Sequence, residues 1–219
     1  MSTENALNWD NLTISNNFIF SKVMQDKEIC KELINILLEL NINNINCVEY
    51  KKVINIEEYN EGGVDSVELD STYIEDEHNT IYNIEICTNN DVNVVNKLML
   101  YQHVVNINLM SKSIHCDVLP DIYTIFICTF DICNDDSCKY YFQEKSSEDD
   151  NLHKIVFNTT SYNDANNNNL KLLLKYINGD TFEKDEANND FIKKLDNKIN
   201  QIKLNEKYKL EYIALVNQE

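Results

Sequence analysis

The segment Ile122–Phe130, IYTIFICTF, constrains this chain most. A strand with one wet face alternates apolar and polar residues, whereas a nearly unbroken apolar, β-branched run needs cover on both faces. The segment therefore reads as the central strand of a sheet with layers above and below. The residues before it supply partners. Val67–Ile74 alternates, Glu75–Thr80 is a polar turn and Thr80–Thr88 (TIYNIEICT) alternates again, which together read as a hairpin. Val92–Leu109 follows with Val94, Val95, Leu98, Met99, Tyr101, Val104 and Val105 on an inward face, a helix crossing from the hairpin to the central strand. Cys47–Tyr59 is β-rich and stops at the Gly62-Gly63 break. Cys138–Gln143 and Lys154–Asn158 read as two more short strands around the acidic loop Glu144–Asp150.

Helices flank this α/β body. Residues 1–17 read as a loose lead-in from which Trp9 and Leu12 tuck against the body. Phe18–Leu40 carries apolar residues at three-to-four spacing, split near Asp26-Lys27-Glu28, with Asp26 placed to cap the second piece. Asn168–Asn178 is helical and stops at Gly179. Asn188–Glu219 reads as one further helix. The Asn163–Asn169 tract separates an α/β core, residues 1–160, from a helical region, residues 161–219.

Charge limits the partners. The chain of 219 residues has 37 acids and 19 cations, a net charge of −18, and every cation is lysine. Arginine is the best bidentate reader of phosphate and guanine, so this chain suits a polyanion poorly unless its lysines gather on one face. No stretch approaches the ~18 apolar residues of a membrane span, and Met1–Asn5 does not open a signal peptide. The expectation is a cytoplasmic protein with no membrane partner. Seven cysteines without a secretory signal argue for reduced thiols. Cys133 and Cys138 lack zinc-ligand spacing, and His78, His103, His115 and His153 are scattered.

The hairpin carries the chemistry. Asp70 falls on its first strand and Glu85 on its second, so pairing can present two carboxylates to one hard cation such as Mg²⁺ or Mn²⁺. In a chain with 37 acids this pair alone does not separate a metal site from two solvated edge carboxylates.

Three separated stretches resemble one family. V-E-L-D-S-T-Y-I-E-D-E-H-N-T-I-Y-N-I-E-I-C-T (67–88), L-P-D-I-Y-T-I-F-I-C-T-F-D (119–131) and F-I-F-S-K-V-M-Q-D-K-E-I-C-K-E-L-I-N-I-L-L (18–38) look like the motifs of the PD-(D/E)XK nuclease family transposases, the Rpn or recombination-promoting nuclease group. The C-terminal F-I-K-K-L-D-N-K-I and N-E-K-Y-K-L-E-Y also fit, and the resemblance runs from about Asn16 to Tyr212. It implies a restriction-endonuclease-like core, a mixed β-sheet flanked by helices, that cleaves DNA with Mg²⁺ or Mn²⁺. Asp70 matches the family's metal-binding aspartate and Glu85 the glutamate of its I-E-x-Q signature. Gln102, in the Tyr101-Gln102 pair, matches a further residue facing the site.

Three departures accompany the match. The Asp70–Glu85 spacing is one residue longer than usual, which a bulge absorbs. Cys87 stands where the family has glutamine and related nucleases have lysine, and a neutral thiol is a weak hydrogen-bond partner without positive charge. The family's arginine before the Y-Q pair is replaced by an apolar residue, Met99, although Lys97 is nearby. Two expectations follow: a metal-dependent DNA endonuclease with a degenerate site, or a catalytically inactive nuclease-fold protein that binds another protein. Lys22, Lys51, Lys52 and Lys97 are the cations nearest the pair in sequence, and their placement discriminates between the two.

Overall fold

The computed structural model describes residues 6–55, 66–90, 93–112, 120–142 and 151–217. Gly62-Gly63, the loop 144–150, His115 and Cys116 lie outside the described residues. Helices α1 (Asn17–Met24) and α2 (Lys27–Leu38) come first, with Asn16 and Asp26 as caps that accept the first free backbone N–H groups. Strands β1 (Ile45–Tyr50), β2 (Val53–Asn55), β3 (Ser66–Glu68), β4 (Thr72–Asp76) and β5 (Ile81–Cys87) lead into α3 (Val94–Lys112). Strands β6 (Ile122–Cys128), β7 (Lys139–Tyr141) and β8 (Leu152–Asn158) complete the sheet. Helices α4 (Asn168–Asn178), α5 (Asp190–Lys203) and α6 (Glu206–Val216) follow. Gly179, at φ +84°, ends α4 in the left-handed conformation that costs glycine nothing.

The main sheet has the order β1-β4-β5-β6-β8-β7. It is mixed: β5, β6 and β8 run parallel, and β1, β4 and β7 join antiparallel. The central strand forms as its apolar run requires, with Ile122 and residues 124–128 buried. One sheet face packs Ile84, Ile86, Ile125, Ile127 and Phe157 against α1, α2, α4 and α5. The other packs Ile81, Cys87, Phe126 and Val156 against α3. The C-terminal helices α4 and α5 share the first core with α1 and α2.

Local readings change in three places. The expected β-rich segment Cys47–Tyr59, of which 56–59 lie outside the described residues, divides into β1 and β2 at Lys51, whose φ is +53°. The expected strand Val67–Ile74 divides into β3 and β4, so Asp70 sits between strands rather than on one. The single C-terminal helix is two: Leu204 is 84% exposed, off the buried stripe, and Asn205 caps α6 by accepting from the Lys207 and Tyr208 N–H groups. The lead-in contains a 3₁₀ turn, Ala6–Asn11, that buries Trp9.

Candidate functional site

The break that removes Asp70 from the strand also aims it. β1 and β4 end their pairing at Tyr50–Thr72, and β2 and β3 resume at Val53–Glu68. Two residues, Lys51 and Lys52, therefore face three, Leu69, Asp70 and Ser71. The ribbon stays joined across this corner, because the Lys51 N–H donates to Ser71 O at 3.1 Å and the Leu69 N–H to Lys52 O at 3.0 Å. The surplus residue is a bulge, a device that bends a strand and re-aims a side chain. Asp70 has no ladder partner for its N–H, which donates instead to the Tyr101 hydroxyl of α3 at 3.0 Å. Tyr101 is buried and meets Phe126 edge-on, so it pins the bulge to the rigid sheet.

Glu85 comes from β5. Successive residues of a strand alternate faces, and Asn83, Glu85 and Cys87 point toward α3 while Tyr82, Ile84 and Ile86 enter the opposite core. Glu85 is only 5% exposed. Its Oε1 receives Lys97 Nζ at 2.5 Å and lies 3.9 Å from Cys87 Sγ. Its Oε2 is buried with no hydrogen-bond partner among the described residues. Asp70 pairs with Lys51 at 3.3 Å, and Lys51 also lies 3.6 Å from Glu68. One cavity of about 280 Å³ is lined by Asp70, Glu85, Lys51 and Lys97, with Asn16 and Phe18 of the α1 start and Tyr212 and Leu215 of α6 as walls.

Burial pushes the Glu85 carboxyl above its ordinary value; Lys97 pulls the other way and the nearby Asp70 charge adds to the rise. Burial alone would lower the Lys97 ammonium, but the Glu85 carboxylate outweighs it and the net shift is upward. Lys51 is raised in the same way, its desolvation outweighed by Asp70. The Cys87 thiol is raised by its contact with the Cys128 thiol, by burial and by Glu85. It is a protonated thiol beside the carboxylate, not a cation.

The site residues named from sequence divide accordingly. Asp70 and Glu85 line one cavity, and Cys87 lies beside Glu85 on the same face. Gln102, the further residue expected to face the site, is not among the residues that line the cavity. It is fully buried under α3, where Thr124 Oγ1 donates to its Oε1 at 2.6 Å. Its position follows from helix geometry: five residues past Lys97, it faces the middle of β6 rather than the open end of β5. Met99 is half-buried and outside the cavity lining. Of the four lysines, Lys51 and Lys97 reach the site; Lys22 pairs with Glu211 at 2.6 Å and Lys52 with Glu49 at 3.3 Å. The sequence leaves Tyr101 between core packing and a place in the Tyr101-Gln102 pair, and it gives Tyr212 no role. Only the bulge explains the first, and only the return of α6 to α1 explains the second.

Among the described residues no three His, Cys, Asp or Glu side chains converge as a ready-made metal cluster. Two carboxylates facing one cavity, one of them with a buried, unpartnered oxygen, nevertheless fit a hard divalent cation, which takes oxygen ligands and keeps several waters. No family model, curated protein or solved structure matches the chain.

Proposed function

We propose that this cavity is a phosphodiesterase centre of the restriction-endonuclease-like type, hydrolysing nucleic-acid phosphodiesters with Mg²⁺ or Mn²⁺. The observation that carries the reading is the contact of Lys97 Nζ with Glu85 at 2.5 Å in the cavity that also contains Asp70. The cation that Cys87 fails to supply arrives from α3. Asp70 and Glu85 would hold the metal, which when bound lowers the pKa of a water and offsets charge on a phosphate. Lys97 keeps its proton, so it acts as a fixed positive group that orients the anionic scissile group and offsets charge developing on it. Tyr101 keeps the Asp70 bulge in place through the backbone N–H. Asp70, Glu85, Lys51 and Lys97 compensate one another, so the cavity is locally neutral inside an acidic surface.

The test is hydrolysis of bis(p-nitrophenyl) phosphate, a phosphodiester free of any demand for nucleic-acid shape, with Mg²⁺ or Mn²⁺. Asp70→Asn and Glu85→Gln are expected to lower the metal-dependent rate by about 10²–10³, and Lys97→Met by about 10². Absence of any Asp70-dependent hydrolysis overturns the reading. That result favours the second reading, a nuclease-fold protein whose two carboxylates are permanently neutralised by Lys51 and Lys97 and whose acidic surface meets another protein.

A further inference from the structure

Taking the phosphodiesterase reading as its basis, we infer that the substrate is a short single-stranded oligonucleotide of a few residues rather than a duplex. Two independent observations lead there.

The first is the shape of the cavity. Its volume is about 280 Å³, at the bottom of the range for pockets that enclose a small molecule. It has walls on two sides, the start of α1 and the inner face of α6. Neither wall is loosely attached. Tyr212 of α6 packs its ring against both Trp9 and Phe18, at 5.5 and 5.4 Å between centroids, and Glu211 pairs with Lys22 of α1 at 2.6 Å. Glu85 is 95% buried at the floor. A stiff duplex, with phosphates fixed along grooves about 12 and 6 Å wide, brings a phosphate between these two walls and down to Glu85 only by distorting. A single strand a few residues long need not, because its backbone torsions are free.

The second is the distribution of charge. Residues 1–160, which supply Asp70, Glu85, Lys51 and Lys97, contain 27 acids and 10 lysines. Residues 161–219 contain 10 acids and 9 lysines. Among the described residues, the compensating cations in the cavity lining beside the two carboxylates are Lys51 and Lys97. Duplex DNA brings one negative charge per ~1.7 Å, so each turn beyond the cavity adds repulsion. A trinucleotide brings only a handful of charges, and one of its phosphates at the cavity faces the two lysines. The site is thus arranged to take one or two phosphates and no more.

The experiment compares a 5′-phosphorylated DNA trinucleotide with a 30-base-pair duplex and a closed plasmid, using the full chain and Mn²⁺. We expect kcat/KM for the trinucleotide to exceed that for the duplex, per phosphodiester, by at least tenfold. We expect it to stay nearly flat between low and high salt, while any duplex cleavage rises as salt screens the repulsion. Equal or faster Asp70-dependent cleavage of duplex overturns the inference and leaves the phosphodiesterase reading intact. Equilibrium dialysis in Ca²⁺ covers the case of no cleavage at all. Binding of trinucleotide but not duplex then supports the size and charge selection while the hydrolytic reading falls, and binding of neither ends both. Leu215→Trp fills the cavity from a half-buried position and is expected to weaken trinucleotide binding at least tenfold with an unchanged unfolding midpoint. Unchanged binding in that variant also overturns the inference.

Discussion

The two faces of β5 are made from the same seven residues and obey different rules. Tyr82, Ile84 and Ile86 enter a core of aliphatic and aromatic side chains in which the Tyr82 hydroxyl has its partner, Asp76, at 2.9 Å. Asn83, Glu85 and Cys87 enter a stratum beneath α3 where Asn83 Nδ2, Glu85 Oε2, Gln102 Nε2 and Asn106 Oδ1 are buried without hydrogen-bond partners among the described residues. Asn83 Oδ1 accepts from the Ser71 hydroxyl, and Gln102 Oε1 from Thr124, so each amide is half satisfied. A buried polar atom left unpaired costs about 1–3 kcal/mol. The first face stabilises the fold. The second gives up stability and holds a carboxylate, a cation and a pinned bulge at fixed places.

The comparison breaks most visibly if the apolar face is not the stabilising one. Ile84→Ala is expected to cost about 3–4 kcal/mol, since deleting a fully buried Ile side chain loses both transfer and cavity terms. The cost, read from urea unfolding, should be the same at pH 5 and pH 8. A loss below about 1 kcal/mol would mean that this face is loosely packed.

A smaller and pH-dependent effect is expected from Lys97→Met. It removes the group that holds the Glu85 carboxyl down, so burial raises that carboxyl further. Lys97 itself is raised in the fold and contributes stability that is present below its unfolded value of 10.5. At pH 8 the variant should lose about 1–2 kcal/mol, less than the 3–5 of a broken pair that cannot relax, because Glu85 can take up a proton. The loss should shrink toward pH 5 as that proton binds. A cost independent of pH would place the contribution of Lys97 in packing rather than charge.

Glu85→Gln should change stability least, by up to about 1 kcal/mol, and in the favourable direction. The folded carboxyl is raised above 4.5, so the fold binds its proton more tightly than the unfolded chain does. Wild-type stability therefore declines as pH rises from 4.5 through the folded value. The variant escapes that decline, and its advantage should be absent below pH 4 and present at pH 7. Destabilisation at pH 7 instead would mean that Lys97, 25% exposed, cannot turn its ammonium to water once its partner is neutral.

The sequence was legible where one local rule decides the outcome. Asp26 and Gly179 mark helix ends because a cap and a left-handed terminator act on adjacent residues. The run Ile122–Cys128 marks the sheet centre because only burial on both faces accommodates it. The mixed sheet flanked by helices follows from the strand–strand–helix–strand order around it. The site was legible as residue types, Asp70 and Glu85, but not as geometry. The corner at Lys51 is left-handed at a lysine rather than a glycine, so no residue announces it. The long Asp70–Glu85 spacing implies a bulge, but its place at Asp70 itself follows only from pairing two ribbons with a two-against-three count. The burial of Gln102 is not legible in the sequence, because Leu100, Ile107 and Met110 of α3 are about half exposed and periodicity cannot tell which side meets the sheet. Lys97 stood among four candidate lysines, and only the docking of α3 on β5 selects it.

Trp9 has a consequence for timing. The only tryptophan of the chain donates its Nε1 hydrogen to the backbone carbonyl of Lys203 at 2.9 Å, across 194 residues. At a synthesis rate of about 5–20 residues per second, roughly 10–40 s pass between the making of these two partners. Through that interval Trp9 and Phe18 lack the Tyr212 ring that covers them, and the cavity that holds Glu85 lacks its α6 wall. A nascent chain therefore carries its carboxylates and lysines before it carries the α6 wall of the cavity that they line.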